Sequence, residues 1–194
     1  MNFLGHLVLS GQCDDTLFGN FIADVIKGKA YLNWPKNIQN GVLLHRKIDE
    51  FTDSNLHYLK SKRRFYSDFP KMGGVITDIV YDYLLWQYEL KYQSLNLEKE
   101  IIRYYNVLDS YYDKMPSNIQ LLYHYMKKDD WLSNYQSEWG IKRALNGIGK
   151  RINYSNDLEK SFQLVKSNIN LFENEFYQFF IMIKAELNHL STNT

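Results

Sequence analysis

An all-α fold is what this sequence predicts, on three observations. Apolar residues recur at three- and four-residue spacing through most of the chain, no stretch alternates with period two for long enough to make a strand, and each of the three prolines stands where a new apolar periodicity begins. Phe18, Phe21, Ile22, Val25 and Ile26 mark one helical face. After Pro35 come Ile38, Val42, Ile48, Phe51 and Thr52, and after Pro70 come Ile76, Ile79, Val80, Tyr83, Leu84 and Leu90. Pro116 precedes Ile119, Leu122, Tyr123 and Met126, and the last segment, Leu158 to Leu187, repeats Phe162, Val165, Ile169, Phe172, Phe176 and Phe179/Phe180. Loops are expected around Gly11 to Asp15, Gly28 to Trp34, Tyr92 to Asn96 and Arg151 to Asn156, where small and turn-forming residues gather. The expected architecture is a compact bundle of about seven or eight helices.

At 194 residues without a linker, one domain spanning residues 1–194 is expected. Hydrophobic residues at 45% and charged residues at 23% exclude a disordered chain and a membrane-embedded one. A formal net charge of +1 provides no whole-molecule field to draw nucleic acid or membrane, so electrostatic partner choice has to be local. The start, Met-Asn-Phe-Leu-Gly-His, lacks a basic n-region, and no run of eighteen apolar residues occurs. With Cys13 as the one cysteine, an intramolecular disulfide is excluded and a reducing, cytoplasmic setting is expected, the thiol being buried or incidental.

The residues that can carry chemistry are acidic groups and histidines in apolar surroundings. Asp78 and Asp82 are four apart and stand one above the other on a helix that is otherwise nearly all apolar or aromatic from Val75 to Trp86. A buried carboxylate without a partner is costly, and two of them oppose each other's ionisation. A divalent cation meets both difficulties; exposure to solvent, or pairing with Arg63 or Arg64, meets them without one. His45 and Asp49 repeat the spacing, with Asp53 a turn further, and imidazole and carboxylate are ligands that divalent cations use. A structural histidine is the plainer alternative. Asp24 follows the run Gly19-Asn20-Phe21-Ile22-Ala23, and His6 lies between Leu4 and Leu7, so each of these groups also needs a partner.

No phosphate-cradling Gly-rich loop, Gly-x-Ser-x-Gly, His-Glu-x-x-His or Cys-x-x-Cys occurs, which leaves nucleophilic serine or cysteine catalysis with little support. A helical His/Asp site suits metal-activated water attacking a phosphate ester. Basic residues cluster in Arg46-Lys47 and in Lys60, Lys62, Arg63 and Arg64. They form either a solvated helix face or an anion-recognition patch beside the site, and a patch this small suits an acidic protein better than a nucleic acid duplex.

Four blocks in order, Met-Asn-Phe-Leu-x-His-Leu, Gly-Asn-Phe-Ile-Ala-Asp, Leu-His-Arg-Lys-Ile-Asp-x-Phe-Thr-Asp and Asp-Ile-Val-Tyr-Asp-Tyr, resemble the acyl carrier protein phosphodiesterase family. Weaker echoes follow in Leu145-Asn146-Gly147-Ile148 and around Phe176 to Phe180. The resemblance implies a divergent HD-type helical phosphohydrolase that removes 4'-phosphopantetheine from holo-acyl carrier protein with a divalent metal, Mn²⁺ favoured and Mg²⁺ or another possible. Carried over residue by residue, it implies metal ligation by Asp24, His45, Asp49 and Asp82. Asp78 becomes a further ligand or the group that orients water, Arg46 a contact to the phosphodiester, and His6 an acid or a support for the ligands. Because carrier proteins are acidic, it also implies docking on basic residues, Arg63 and Arg64 among them. Val8 and Tyr83 stand where family members often carry His. The alternatives are an HD-like hydrolase of a nucleotide or other small phosphate ester, and a helical adaptor without a metal.

Overall fold

A computed structural model of the chain describes residues 1–152 and 157–192, with side chains through 189. Among the described residues the structure is all-α, without strands. The helices are α1 (Phe3–Val8), α2 (Asp14–Ile22), α3 (Lys36–Ser54), α4 (Leu56–Arg63), α5 (Gly73–Tyr92), α6 (Leu97–Ser110), α7 (Ser117–Lys128), α8 (Trp131–Asn134), α9 (Glu138–Arg151), α10 (Ser161–Ser167) and α11 (Ile169–Thr192). The count exceeds the expected seven or eight because short pieces such as α1 and α8 stand as separate helices, and because the expected Leu158 to Leu187 helix is broken. The break is at Asn168, whose side-chain amide donates to the Leu164 carbonyl at 3.0 Å while its own carbonyl accepts from Leu171 and Phe172 to start α11.

Pro35 and Pro116 each stand immediately before a helix, α3 and α7, where a missing N–H costs nothing. Gly11 and Gly28 take positive φ in the expected loops. Helix α2 nevertheless begins inside the first of them, at Asp14, because Asp14 and Asp15 place negative charge on the first turn, where the helix dipole favours it. The loop expected at Arg151 to Asn156 lies for the most part outside the described residues, and α9 continues through Arg151.

Buried apolar side chains form one core. Tyr58 of α4, Phe65 just beyond that helix, Tyr81 of α5 and Phe172, Phe176 and Phe179 of α11 are all nearly or fully inaccessible, and Tyr81 packs edge-on against Phe176 with ring centroids 5.2 Å apart. This aromatic layer fixes α4 and α5 against α11. The contact that matters most for the site is between α2 and α3. A side chain at Gly19 would lie 2.2 Å from the Ile38 carbonyl oxygen, and one at Gly41 2.2 Å from that of Thr16. Only glycine permits the two backbones to approach so closely, and the approach brings Asn20, the next residue on α2, against His45, one turn beyond Gly41 on α3. No helix among the described residues is long and apolar enough to cross a membrane.

Candidate metal centre

Four ionisable side chains from three stretches of chain meet at one cleft of about 360 Å³: His6 from α1, Asp24 from the turn after α2, and His45 and Asp49 from α3. The imidazoles of His6 and His45 stack at 4.1 Å with their planes 19° apart. His6 Nε2 lies 3.3 Å from Asp49 Oδ1, His45 Nε2 lies 3.2 Å from Asp49 Oδ2, and the same His45 nitrogen lies 3.3 Å from Asp24 Oδ1. Asp49 thus bridges the two rings. Donor atoms of His6, His45 and Asp49 all fall within 4.8 Å of one another, the spacing a single cation needs, while the more exposed Asp24 reaches the group through His45.

Behind the rings lies Asn20, fully buried. Its amide nitrogen donates to the His6 carbonyl at 3.0 Å and to Ser10 Oγ at 2.8 Å, so its Oδ1 is the atom turned to the histidines. That oxygen is 3.1 Å from His6 Nδ1 and 2.9 Å from His45 Nδ1. An amide oxygen can only accept, so both Nδ1 atoms carry hydrogen, and the proton-free position of a neutral ring is Nε2. Each Nε2 then faces a carboxylate oxygen. Two lone pairs at such distances repel unless a proton or a metal ion stands between them.

Without a metal the proton takes that place at His45. Burial opposes its charge, but hydrogen bonds to Asp24 and Asp49 prevail and push its pKa up to about 9. For Asp49, burial is outweighed by hydrogen bonds from His45 and His6, which hold the carboxyl well below the usual carboxylate range. Asp24 is lowered as well, chiefly by His45. His6 is pushed down by burial, which the neighbouring His45 charge reinforces and the contact with Asp49 opposes only in part. Two histidine nitrogens and one or two carboxylates fit a divalent cation of the borderline to hard kind.

With that geometry established, the comparison with known proteins is decisive. The family model described as acyl carrier protein phosphodiesterase matches residues 1–183. The chain belongs to the acyl carrier protein phosphodiesterase family. Among curated relatives of that name, the one from Klebsiella pneumoniae (strain 342) is 28% identical over 93% of this chain and 94% of its own. Those from Enterobacter sp. (strain 638) and Escherichia coli (strain SE11) are 27% and 26% identical, covering 96% and 97% of this chain and 98% of each relative. No solved structure gives a significant match.

In this acyl carrier protein phosphodiesterase family member the two aspartates of α5 are placed differently from each other. Asp82, expected among the metal ligands, is fully buried and does not line the cleft. Its Oδ2 accepts from Leu4 N–H at 2.9 Å and its Oδ1 from Gly5 N–H at 3.0 Å. It caps the first turn of α1 from a distance, while the local cap position, Asn2, makes no side-chain cap and donates its amide to the Tyr135 hydroxyl. Burial pushes the Asp82 carboxyl up to about 7 against these two N–H groups. Asp78 does line the cleft, and it accepts from the Tyr58 hydroxyl at 2.8 Å and meets the Met1 amine at 3.0 Å.

Two arginines also find places the sequence did not disclose. Arg46, expected on the phosphodiester, donates to the Ile26 carbonyl at 2.8 Å and lies over the Tyr31 ring, and it is absent from the cleft lining. Arg64, expected at the partner surface, makes a 2.6 Å ion pair with the buried Glu175, which also accepts from Ser61, and its guanidinium covers Phe172. Arg63 is exposed. Tyr83 packs edge-on against Phe162 and does not line the cleft. Asn20 and Tyr58 were given no role by sequence reasoning. The signal for Asn20 was present in its position: an amide inside an apolar run beside Asp24 needs buried partners as much as a charge does.

Proposed function

We propose that this chain hydrolyses the phosphodiester joining 4'-phosphopantetheine to the serine of holo-acyl carrier protein, with a divalent cation, Mn²⁺ in preference to Mg²⁺, held by His6, His45, Asp49 and Asp24. The observation that carries this reading is the pair of imidazoles locked by Asn20 with both Nε2 atoms turned to carboxylates. The reaction adds water across one bond: the water oxygen bonds to phosphorus, the bond from phosphorus to the serine oxygen breaks, and that oxygen takes up a proton. The products are apo-carrier protein and 4'-phosphopantetheine. A bound divalent cation supplies positive charge against the phosphoryl oxygens and a more acidic water.

The chain's own residues prepare the rest. Asn20 removes the rotational and tautomeric freedom of two ligands at once, so neither has to be ordered when the substrate arrives. Asp49 sets both rings by using one oxygen for each. Asp78, steadied by the Tyr58 hydroxyl on the cleft wall, keeps lone pairs with which to orient the attacking water and accept its proton. Arg63, with Lys60 one turn before it, offers exposed positive charge to an acidic carrier protein, whereas Arg64 belongs to the fold through Glu175. The reading includes a cytoplasmic setting, in keeping with a lone, exposed Cys13.

The test is incubation of the protein with holo-acyl carrier protein and Mn²⁺, with the carrier weighed by mass spectrometry. Loss of the phosphopantetheine mass, abolished by a chelator and restored by Mn²⁺, is expected. An intact holo-carrier alongside rapid cleavage of a nucleotide would replace the reading with that of a small-ester hydrolase. Arg63→Glu should lower kcat/KM on the carrier protein and weaken its salt dependence, because exposed charges steer encounter more than they hold the complex.

A further inference from the structure

A second hollow opens off the metal centre. It is a groove of about 870 Å³ between α7, α8 and α9, and it shares Asn2, Phe3 and Asp24 with the smaller cleft. Its walls are largely apolar, with Leu121 and Tyr125 of α7 and Trp131 of α8, and the amide side chains of Asn118 and Asn146 interrupt them. Leu121 is 60% and Tyr125 49% exposed, a large apolar outlay for side chains with no neighbour to cover them. On the α9 side lies Gly147, where an added Cβ would meet nothing within 4 Å.

We infer that this groove is the binding subsite for the pantetheine arm of the substrate, an inference that rests on the reading of the metal centre as the phosphodiester site. With the phosphate at His6, His45 and Asp49, the arm has to leave on one side and the carrier protein on the other. The groove begins at Asp24, at the edge of that centre, and its size lies in the range of small-ligand sites. Its chemistry matches the arm in kind: apolar walls for a chain of methylenes and a dimethyl branch, and side-chain amides for its two amide bonds. The glycine leaves the groove open on the α9 side.

Gly147→Trp tests this directly, since a Cβ at this position meets nothing within 4 Å and the substitution replaces a residue that weakens a helix. Thermal stability should not fall. On holo-acyl carrier protein kcat/KM should drop by about 10–200-fold, the scale on which pocket shape discriminates. Hydrolysis of bis(4-nitrophenyl) phosphate, which has no arm, should be unchanged. Inhibition by apo-carrier protein, which has the protein surface and no arm, should be unchanged too. Tyr125→Ala, which removes an exposed wall rather than filling the groove, should weaken equilibrium binding of free 4'-phosphopantetheine in the presence of Mn²⁺.

The groove assignment is overturned if both variants match the wild type on holo-carrier protein and in phosphopantetheine binding. It is overturned equally if Gly147→Trp loses apo-carrier inhibition in parallel, which would make the groove a protein contact. Failure of the underlying reading looks different: the wild type would leave holo-carrier protein intact, while binding of free 4'-phosphopantetheine that depends on Gly147 and Tyr125 would still support the groove.

Discussion

Two helices of this molecule carry ionisable residues four apart, and the fold uses them in opposite ways. On α3, His45 and Asp49 turn into a cleft where His6 and Asp24 join them, and the charges are compensated by one another. On α5, Asp78 and Asp82 turn toward the first residues of the chain, where Asp82 is satisfied by two backbone N–H groups of α1 and Asp78 by a hydroxyl and an amine. The comparison teaches that burial requires a carboxylate to have a partner without specifying which. Backbone N–H groups at a helix start do for Asp82 what a cation would do for Asp49. The two regions are also connected, because α1 is the helix that carries His6, so Asp82 holds a member of the candidate metal centre through the backbone.

Replacing His45 and Asp82 by alanine should separate the two regions most sharply. His45→Ala removes a ligand nitrogen from the cleft, and hydrolysis should fall by at least about 10²-fold with helical circular dichroism retained. Asp82→Ala leaves the N–H groups of Leu4 and Gly5 buried without acceptors, at a cost of roughly 2 to 4 kcal/mol in urea unfolding. Its residual activity should follow the fraction folded and the Mn²⁺ supplied. If instead Asp82→Ala were fully stable and inactive, the division between the two regions drawn above would be wrong.

Asn20 sharpens the comparison inside the cleft. Asn20→Leu preserves the volume but removes the oxygen that holds His6 Nδ1–H and leaves His45 Nδ1–H only the Asn20 backbone carbonyl at 2.9 Å, and metal affinity should weaken by about 10–100-fold, as for other groups that orient ligands. Calorimetric titration with Mn²⁺, made at a temperature where the variant is fully folded, measures this apart from any loss of stability. An unchanged affinity would mean that packing and the Asn20 backbone carbonyl hold the rings without the side-chain oxygen.

The smallest expected effect is the dependence on pH. In the metal-free protein His45 has its pKa raised from 6.5 to about 9, so its contribution to stability is complete below about pH 6.5 and drains away as the pH rises through 9. Asp49 and Asp24 are lowered from 3.8, so their contributions are present above that value and are lost in acid. Half-exposed Asp49 and more exposed Asp24 are screened by solvent, which leaves on the order of 1 to 2 kcal/mol for the alkaline loss. Since a metal must displace the proton on His45, Mn²⁺ binding at pH 7 should release close to one proton, seen as a dependence of the binding enthalpy on the buffer. His45→Gln should show neither the release nor the alkaline loss.

The sequence by itself determined the helices, because apolar spacing of three and four residues has one economical solution, and it marked the residues that need partners: His6, Asp24, His45, Asp49, Asp78 and Asp82. It also carried, in four short blocks, the family. Which partner each residue finds was decided only by the tertiary structure. Gly19 and Gly41 signal a close approach only when α2 and α3 are laid together, and that approach is what brings Asn20 to His45. Arg46 and Arg64 read as surface charge until Ile26, Tyr31 and Glu175, distant in sequence, are placed beside them. Local spacing fixes which residues share a helix face, but hydrogen bonds and ion pairs act over a few ångströms, so the partner across that face is set by how the helices cross.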